Sequence, residues 1–79
     1  MADRKSIEET IRLGLECTHV EVRGDDGAHF EAVVVSPAFS GLARVRRHQL
    51  VYAALGDRMR EEIHALSMHT LSHEEWAVR

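Results

Sequence analysis

The sequence predicts a small α+β domain of two layers, in which a three-stranded sheet carries its helices on one face. Three observations predict it. An apolar stripe at four-residue spacing marks a helix near the start, two valine-rich segments separated by turn-forming residues mark a hairpin, and the later segments alternate helical and strand patterns. With 79 residues the chain has room for one domain, which we expect over residues 1–79.

The first predicted helix begins at a capping-box pattern, in which Ser6 is followed three residues later by Glu9. Isoleucine and leucine then recur every four positions, so that one stripe of the helix faces a core. This stripe continues to about Glu16, where the helix is expected to end.

A hairpin is predicted next. Residues 18–23, THVEVR, alternate polar residues with valine, which is typical of a half-buried strand. Residues 24–27, GDDG, are a short turn-forming connection. Residues 29–36, HFEAVVVS, are almost continuously apolar towards their end, which predicts a central strand, and Pro37 ends it because proline lacks the N–H that a sheet needs.

The second half of the chain predicts helices around a third strand. The pattern from Arg44 to Leu55 favours a helix that Gly56 is well placed to end, and the next six residues can form a short helical turn. Residues 63–71 are strand-like by length and position. A second capping-box pattern, beginning at Ser72, starts a brief terminal helix.

Charge is distributed unevenly along the chain. The formal net charge of −3 argues against a strong, purely electrostatic nucleic-acid binder. Residues 41–60, however, carry five arginines against the single acid Asp57, a local charge of +4, whereas the rest of the chain carries −7. We therefore expect a local basic face that can meet an acidic partner or a phosphate backbone.

Several classes of protein are disfavoured by what the sequence lacks. Cys17 is the only cysteine, so neither an internal disulfide nor a zinc site of paired cysteines is expected. The N-terminus has no apolar secretory segment, and no apolar stretch approaches the ~20 residues that cross a bilayer, so we expect a cytoplasmic protein. No nucleophile elbow, P-loop or metalloprotease motif is present, and we expect no enzymatic activity.

Two histidines close together near the third strand, His64 and His69, do not form a chelating pair. In a strand, residues an odd number apart point to opposite faces of the sheet. In a helix, a five-residue spacing would also separate them widely. Each histidine must therefore be judged alone.

Several stretches together resemble the BolA-type protein family. The matching stretches are His29-Phe30, the turn from Ser36 to Gly41, Arg47-His48 with Val51-Tyr52, His64-Ala65-Leu66, and the end at Glu75-Trp76. They extend over residues 6–77, and their joint spacing carries the resemblance. The short connection GDDGAHF is similar to that of the IbaG-like subgroup. The resemblance implies an αββααβα fold related to the class II KH fold, and no catalysis.

The resemblance also implies a shared metal centre. Family members form complexes with monothiol, CGFS-type glutaredoxins, often bridged by a [2Fe–2S] cluster to which the glutaredoxin cysteine and a glutathione thiol supply sulfur. The family member supplies a strand histidine, which is His64 here, and often a second ligand from the loop between the first two strands. Imidazole can replace thiolate on one iron of such a cluster. Alone, the protein is expected to be a monomer without cofactor.

The identity of the loop ligand stays open. Where Asp26 stands here, mitochondrial relatives with a similar short loop have a cysteine, and a carboxylate is a hard ligand poorly suited to this iron. His29, three residues on, is the nearest nitrogen ligand; Asp25, Asp26 or no loop residue at all are the alternatives. Cys17 is interpreted as a packing residue.

A second hypothesis is a DNA-binding transcriptional regulator, as some members of the family are described. The resemblance implies a helix-turn-helix-like centre whose arginines would contact phosphates. The side chains expected on this surface, facing either a partner or nucleic acid, are Arg44, Arg46, Arg47, His48 and Arg58. The aromatic residues are interpreted as core or edge anchors rather than as a base-stacking platform: Phe39, Tyr52 and Trp76. Either hypothesis fits a role in iron or stress regulation, through cluster trafficking or through gene control.

Overall fold

The structure is a computed structural model that describes residues 3–63 and 65–79. Its elements follow the predicted order, with a 3₁₀ turn inserted after the second strand. They are α1 (Arg4–Gly14), β1 (His19–Arg23), β2 (His29–Val35), the 3₁₀ turn (Pro37–Phe39), α2 (Arg44–Leu55), α3 (Arg58–Glu61), β3 (Ala65–Leu71) and α4 (His73–Ala77).

The three strands form one mixed sheet in the order β1-β2-β3. The hairpin is confirmed: β1 pairs antiparallel with β2, with His19 opposite Val35. The central strand β2 then pairs in parallel with β3, with His29 opposite Ala65. A parallel pair needs a crossover, which α2 and α3 supply between these two strands.

The core lies between one face of the sheet and the helices α1 and α2. Ile7 and Ile11 of α1 are fully buried, so the predicted apolar stripe is confirmed. Phe39 is also fully buried and acts as the predicted anchor, whereas Tyr52 is 41% exposed and outside the core cluster. Of the two roles predicted for Tyr52, a core anchor was therefore wrong, since the residue directly follows the buried Val51 on α2 and stays largely outside the core, and an edge anchor stays a prediction.

Helix α1 begins earlier than the sequence pattern predicted. Asp3 caps it, because its carboxylate Oδ1 accepts the backbone N–H of Ser6 at 2.9 Å. Ser6 therefore lies inside the first turn, and the predicted capping box with Glu9 was wrong. The helix ends at Gly14, where a side chain would collide with α2: an added Cβ would lie 2.8 Å from the Cα of Ala54.

The terminal helix α4 begins as predicted. The Ser72 hydroxyl accepts the backbone N–H of Glu75 at 3.1 Å, and the Glu75 carboxylate accepts the backbone N–H of Ser72 at 2.8 Å. The two long helices share one face of the sheet, but α4 reaches the other: Trp76 stacks on His19 with ring centroids 4.8 Å apart. His19 alternates with the buried Val20, so its ring points away from the core.

Within residues 3–63 and 65–79, no helix combines the length and apolar character needed to span a membrane.

Candidate functional site

The strongest ligand prediction, His64, lies outside the described residues, so the site is built from the residues around it. Ile63 is buried, with 3% of its surface exposed. Ala65 opens β3 and stands opposite His29 in the parallel register. Its backbone N–H donates to the carbonyl of Ala28 at 3.1 Å. The residue that follows His64 in the chain is therefore hydrogen-bonded to the residue just before β2 and stands opposite His29, the first residue of β2.

The loop before β2 is organised by Asp26. Its Oδ1 accepts two backbone N–H groups, from Ala28 at 2.9 Å and from His29 at 2.8 Å. Asp is favoured in turns because its short carboxylate can bind backbone donors two and three residues ahead. Gly27, with φ +78°, supplies the left-handed conformation that this reversal needs.

The other carboxylate oxygen of Asp26 binds the imidazole of His29, with Oδ2 and Nδ1 2.8 Å apart. The two backbone N–H groups, of His29 first and then of Ala28, and the imidazole itself hold the pKa of Asp26 well below its ordinary value. Asp26 is therefore ionised at neutral pH, and its Oδ2 accepts a hydrogen bond from the Nδ1–H group of His29. A metal would then bind His29 at Nε2, and a carboxylate on the far nitrogen is the usual way in which proteins orient a ligating histidine.

The hairpin closes tightly enough to hold this arrangement because Gly24 has no side chain. A Cβ at Gly24 would lie 2.6 Å from the carbonyl oxygen of His29 and 2.7 Å from a ring carbon of Phe30. The neighbouring Asp25 is exposed and makes no hydrogen bond or ion pair with the described residues. Of the two loop aspartates, only Asp26 positions His29.

The described part of the chain offers only a partial set of ligands for a metal. In residues 3–63 and 65–79 no group of three or more histidine, cysteine, aspartate and glutamate side chains is close enough to hold an ion. Cys17 packs against the core, and burial raises the pKa of its thiol. The interpretation of Cys17 as a packing residue is confirmed. The imidazole of His29 fits one ligand position of a centre whose other ligands come from elsewhere.

The predicted basic face is divided by the structure. Arg47, only 12% exposed, forms an ion pair with Glu75 and also donates to the carbonyls of Leu42 at 2.8 Å and Thr70 at 3.1 Å. An arginine whose donors already bind these internal partners stabilises the fold and has few donors left for a phosphate or a partner protein.

Arg58 is also engaged internally. Its guanidinium binds Glu62, the hydroxyl of Thr10 at 2.6 Å and the carbonyl of Ser6 at 3.1 Å. These contacts tie α3 to α1. Only 21% of the side chain remains exposed, which leaves little of it for a phosphate or a partner.

The remaining residues of that face lie on α2. Arg44 and Arg46 are exposed and form no ion pair with the described residues. His48 is half-buried, and its Nε2 is buried without a hydrogen-bond partner among the described residues. The basic surface available for recognition is therefore smaller than the sequence predicted.

Two partnerships were missed by sequence reasoning. The Asp26–His29 pair spans three residues, and the aspartate followed by glycine in a short loop is a local signal that could have revealed it. The Arg47–Glu75 pair joins residues 28 apart in sequence and leaves no such signal.

The profile of a protein family described as BolA-like protein matches residues 14–75 of this chain. The acid stress protein IbaG of Escherichia coli (strain K12) is 33% identical over 76 residues, which cover 95% of this chain and 89% of that protein. The DNA-binding transcriptional regulator BolA of Haemophilus influenzae is 40% identical over 58 residues, covering 73% of this chain; the chain spans only 55% of that relative's length.

A solved structure is similar throughout. The bolA protein homologue from Coxiella burnetii superposes with a TM-score of 0.87 at 44% identity, covering 98% of this chain and 99% of that one. Likeness at this level extends over the whole fold.

Proposed function

The chain belongs to the BolA-like family, and from that premise we propose that it is an adaptor that pairs with a monothiol, CGFS-type glutaredoxin and shares a labile [2Fe–2S] cluster with it. The cluster is cargo: it is held between the two proteins for delivery or for iron and stress regulation. The family match over residues 14–75 and the similarity to IbaG support the family part of this proposal.

The observation that carries the proposal is the oriented imidazole of His29. It stands at the start of β2, 61% exposed, with Nδ1 held by Asp26. Orientation by an ionised carboxylate makes imidazole a better metal ligand, because it fixes the tautomer and raises the basicity of the other nitrogen. Asp26 is itself a poor ligand for this iron, and its role in this proposal is to orient the imidazole of His29, which is the ligand.

In this proposal His64 and His29 are the two nitrogen ligands that this chain contributes. The parallel register supports their proximity, since His29 stands opposite Ala65, the next residue after His64. The glutaredoxin cysteine and glutathione would contribute the thiolates. Imidazole ligands raise the reduction potential of a [2Fe–2S] centre, and they leave on protonation, which suits transfer better than storage.

A second candidate function is DNA binding in gene regulation. The relative from Haemophilus influenzae carries that function in its name, and Arg44 and Arg46 are the exposed arginines of α2 that could meet phosphates. Arg47 and Arg58 are engaged internally, and the net charge is −3, so we expect weak, strongly salt-dependent binding at most.

The test of the adaptor proposal is visible circular dichroism of the protein mixed with a monothiol glutaredoxin that carries a glutathione-ligated [2Fe–2S] cluster. A new heterocomplex spectrum is expected, and His64→Ala and His29→Ala should each alter or abolish it. His73→Ala, at an exposed position of α4, is the matched control and should leave the spectrum unchanged. An unchanged spectrum together with separate elution on gel filtration would refute the proposal.

The DNA candidate is tested by fluorescence anisotropy with a labelled duplex at several salt concentrations. If Arg44 and Arg46 contact phosphates, each alanine variant should lower the slope of log K against log salt by about one. Equal affinity of the wild type and of both variants for the duplex would exclude Arg44 and Arg46 as its binding surface.

A further inference from the structure

The outer edge of β3 offers backbone groups to another chain. Two hydrogen bonds set the phase of the parallel ladder: the N–H of Ala65 donates to the carbonyl of Ala28, and the carbonyl of Leu71 accepts from the N–H of Ser36. Odd-numbered residues of β3 therefore pair with β2, and the three even-numbered ones direct their N–H and C=O groups away from it. Those residues are Leu66, Met68 and Thr70.

The two edges of the sheet are protected to different extents. On β1, the N–H of Val22 donates to the Glu8 carboxylate at 2.8 Å, so α1 covers that edge. On β3, the carbonyl of Thr70 accepts from Arg47 at 3.1 Å, and no other outward backbone group of the strand has a hydrogen bond with the described residues. The strand contains no lysine, proline or bulge, which are the usual protections of an exposed edge.

A groove of about 410 Å³ runs along this edge beside α2. Its lining combines one arginine, two histidines and strand residues and contains no carboxylate: Arg44, His48, Met68, His69, Thr70 and Leu71. Arg44 has no ion-pair partner among the described residues, and the Nε2 of His48 is buried without a hydrogen bond there. A buried polar atom in this state costs free energy that a bound partner can recover.

We propose that this groove binds an extended, acidic peptide segment of a partner protein, which adds to β3 as a fourth strand. The backbone of the segment would pair with Leu66, Met68 and Thr70, and a carboxylate would meet Arg44. Strand addition of this kind takes its affinity from main-chain hydrogen bonds and its specificity from side chains in the adjacent groove.

Two other occupants fit the groove less well. A second copy of this chain, pairing β3 with β3, would bring the residues ALSMHTL, which carry no carboxylate for Arg44. Single-stranded nucleic acid is usually held by bases stacked on aromatic rings, and no phenylalanine, tyrosine or tryptophan lines the groove.

The experiment is amide hydrogen exchange followed by NMR, with and without an N-acetylated, C-amidated peptide of the length of β3 in which valine and glutamate alternate. In the free protein the N–H groups of the even-numbered residues of β3 should exchange faster than those of Ser67, His69 and Leu71. With the peptide, the fast set should slow to resemble the slow set. Peptide-induced shifts should be confined to β3 and the first half of α2.

Matched variants separate charge from backbone pairing. Arg44→Glu should weaken binding by about tenfold, whereas Arg46→Glu, on the same helix but outside the groove, should not. Thr70→Pro, which removes an outward N–H, should weaken binding, and Thr70→Val should not. His29→Ala should bind as wild type does, so that this proposal and the cluster proposal fail independently.

Four outcomes would overturn the proposal. The first two are no protection of the amides of Leu66, Met68 and Thr70 by the peptide, and equal binding of a peptide that carries lysine in place of glutamate. The other two are stronger protection of the same amides by an oligo-dT strand than by the peptide, and protection already present in the free protein because it self-associates, which sedimentation would detect.

Discussion

Arg47 of α2 and Glu75 of α4 form an ion pair with two hydrogen bonds, in which Nη1 and Oε1 are 2.7 Å apart and Nη2 and Oε2 are 3.3 Å apart. The same guanidinium binds the carbonyl of Thr70, and the same carboxylate caps the N-terminus of α4 at Ser72. One pair therefore joins α2, β3 and α4. Planar, forked hydrogen bonding of this kind is specific to arginine.

Replacing this arginine should destabilise the fold. Arg47→Met removes the guanidinium donor from the carbonyls of Leu42 and Thr70 and leaves the Glu75 carboxylate with the Ser72 N–H alone, so we expect the free energy of unfolding to fall by about 2 kcal/mol. Urea denaturation measures it. Arg46→Met, at an exposed position one residue earlier, is the control and should change stability by less than about 0.5 kcal/mol. Equal effects of the two substitutions would contradict a structural role for Arg47.

The same pair predicts a dependence of stability on acid. Hydrogen bonds from Arg47, and then from the backbone of Ser72, lower the pKa of Glu75 to about 2 from an ordinary value of 4.5. Because the pKa is lower in the folded state, the ionised carboxylate stabilises the fold fully above the unfolded value, and this contribution is lost as pH falls towards about 2.

Glu75→Gln should therefore be less stable than wild type at neutral pH, and the difference should shrink between about pH 4.5 and pH 2. Urea denaturation at a series of pH values measures this. In the Arg47→Met background the shrinkage should be much smaller, because the main cause of the pKa shift is gone. A difference that stays constant across the window would refute the assignment.

The close approach of α1 and α2 at Gly14 predicts a reversal of an ordinary helix rule. Alanine normally stabilises a helix relative to glycine by about 1 kcal/mol. Here the added Cβ would lie 2.8 Å from both the Cα and the Cβ of Ala54, so Gly14→Ala should destabilise by about 1–2 kcal/mol. Thermal denaturation of the single and double variants measures this. In the Ala54→Gly background, Gly14→Ala should destabilise the fold less than it does alone. A stabilising Gly14→Ala would show that the helices separate at no cost.

The Asp26–His29 pair predicts the tautomer of the imidazole. In wild type the Nδ1–H form of His29 should dominate, and Asp26→Asn should remove that preference, which long-range ¹H–¹⁵N correlation of the ring measures directly. In the glutaredoxin complex the same substitution should weaken cluster retention by about 10- to 100-fold. Asp25→Asn, at the neighbouring exposed position, is the control for loop charge. Identical ring spectra of wild type and Asp26→Asn would contradict the positioning role.

Elements with strong local signals were predicted well from the sequence. The bounds of α2, the capping box of α4 and the β1–β2 hairpin agree with the structure, because each depends on residues a few positions apart. The predicted start of α1 was three residues too late. Both Asp3 and Ser6 are residue types that cap helices, and in the structure Asp3 is the cap because its carboxylate accepts the backbone N–H of Ser6.

The candidate site divides along the same line. Asp26 and His29 lie within one loop, so their pairing was open to prediction from local turn chemistry, although it was not predicted. The proximity of His29 to the start of β3 depends on a parallel register between strands separated by two helices, which resemblance implies but periodicity does not give.

The sequence by itself determined the element order, the core stripe of α1 and the family, since hydrophobic period, turn residues and motif spacing are properties of the chain alone. Only the tertiary structure decided which arginines remain available: Arg47 and Arg58 find their partners up to 52 residues away, whereas Arg44 and Arg46 find none among the described residues. Formal charge is a sum over the sequence, but the charge that a partner meets is what remains after folding has paired the rest.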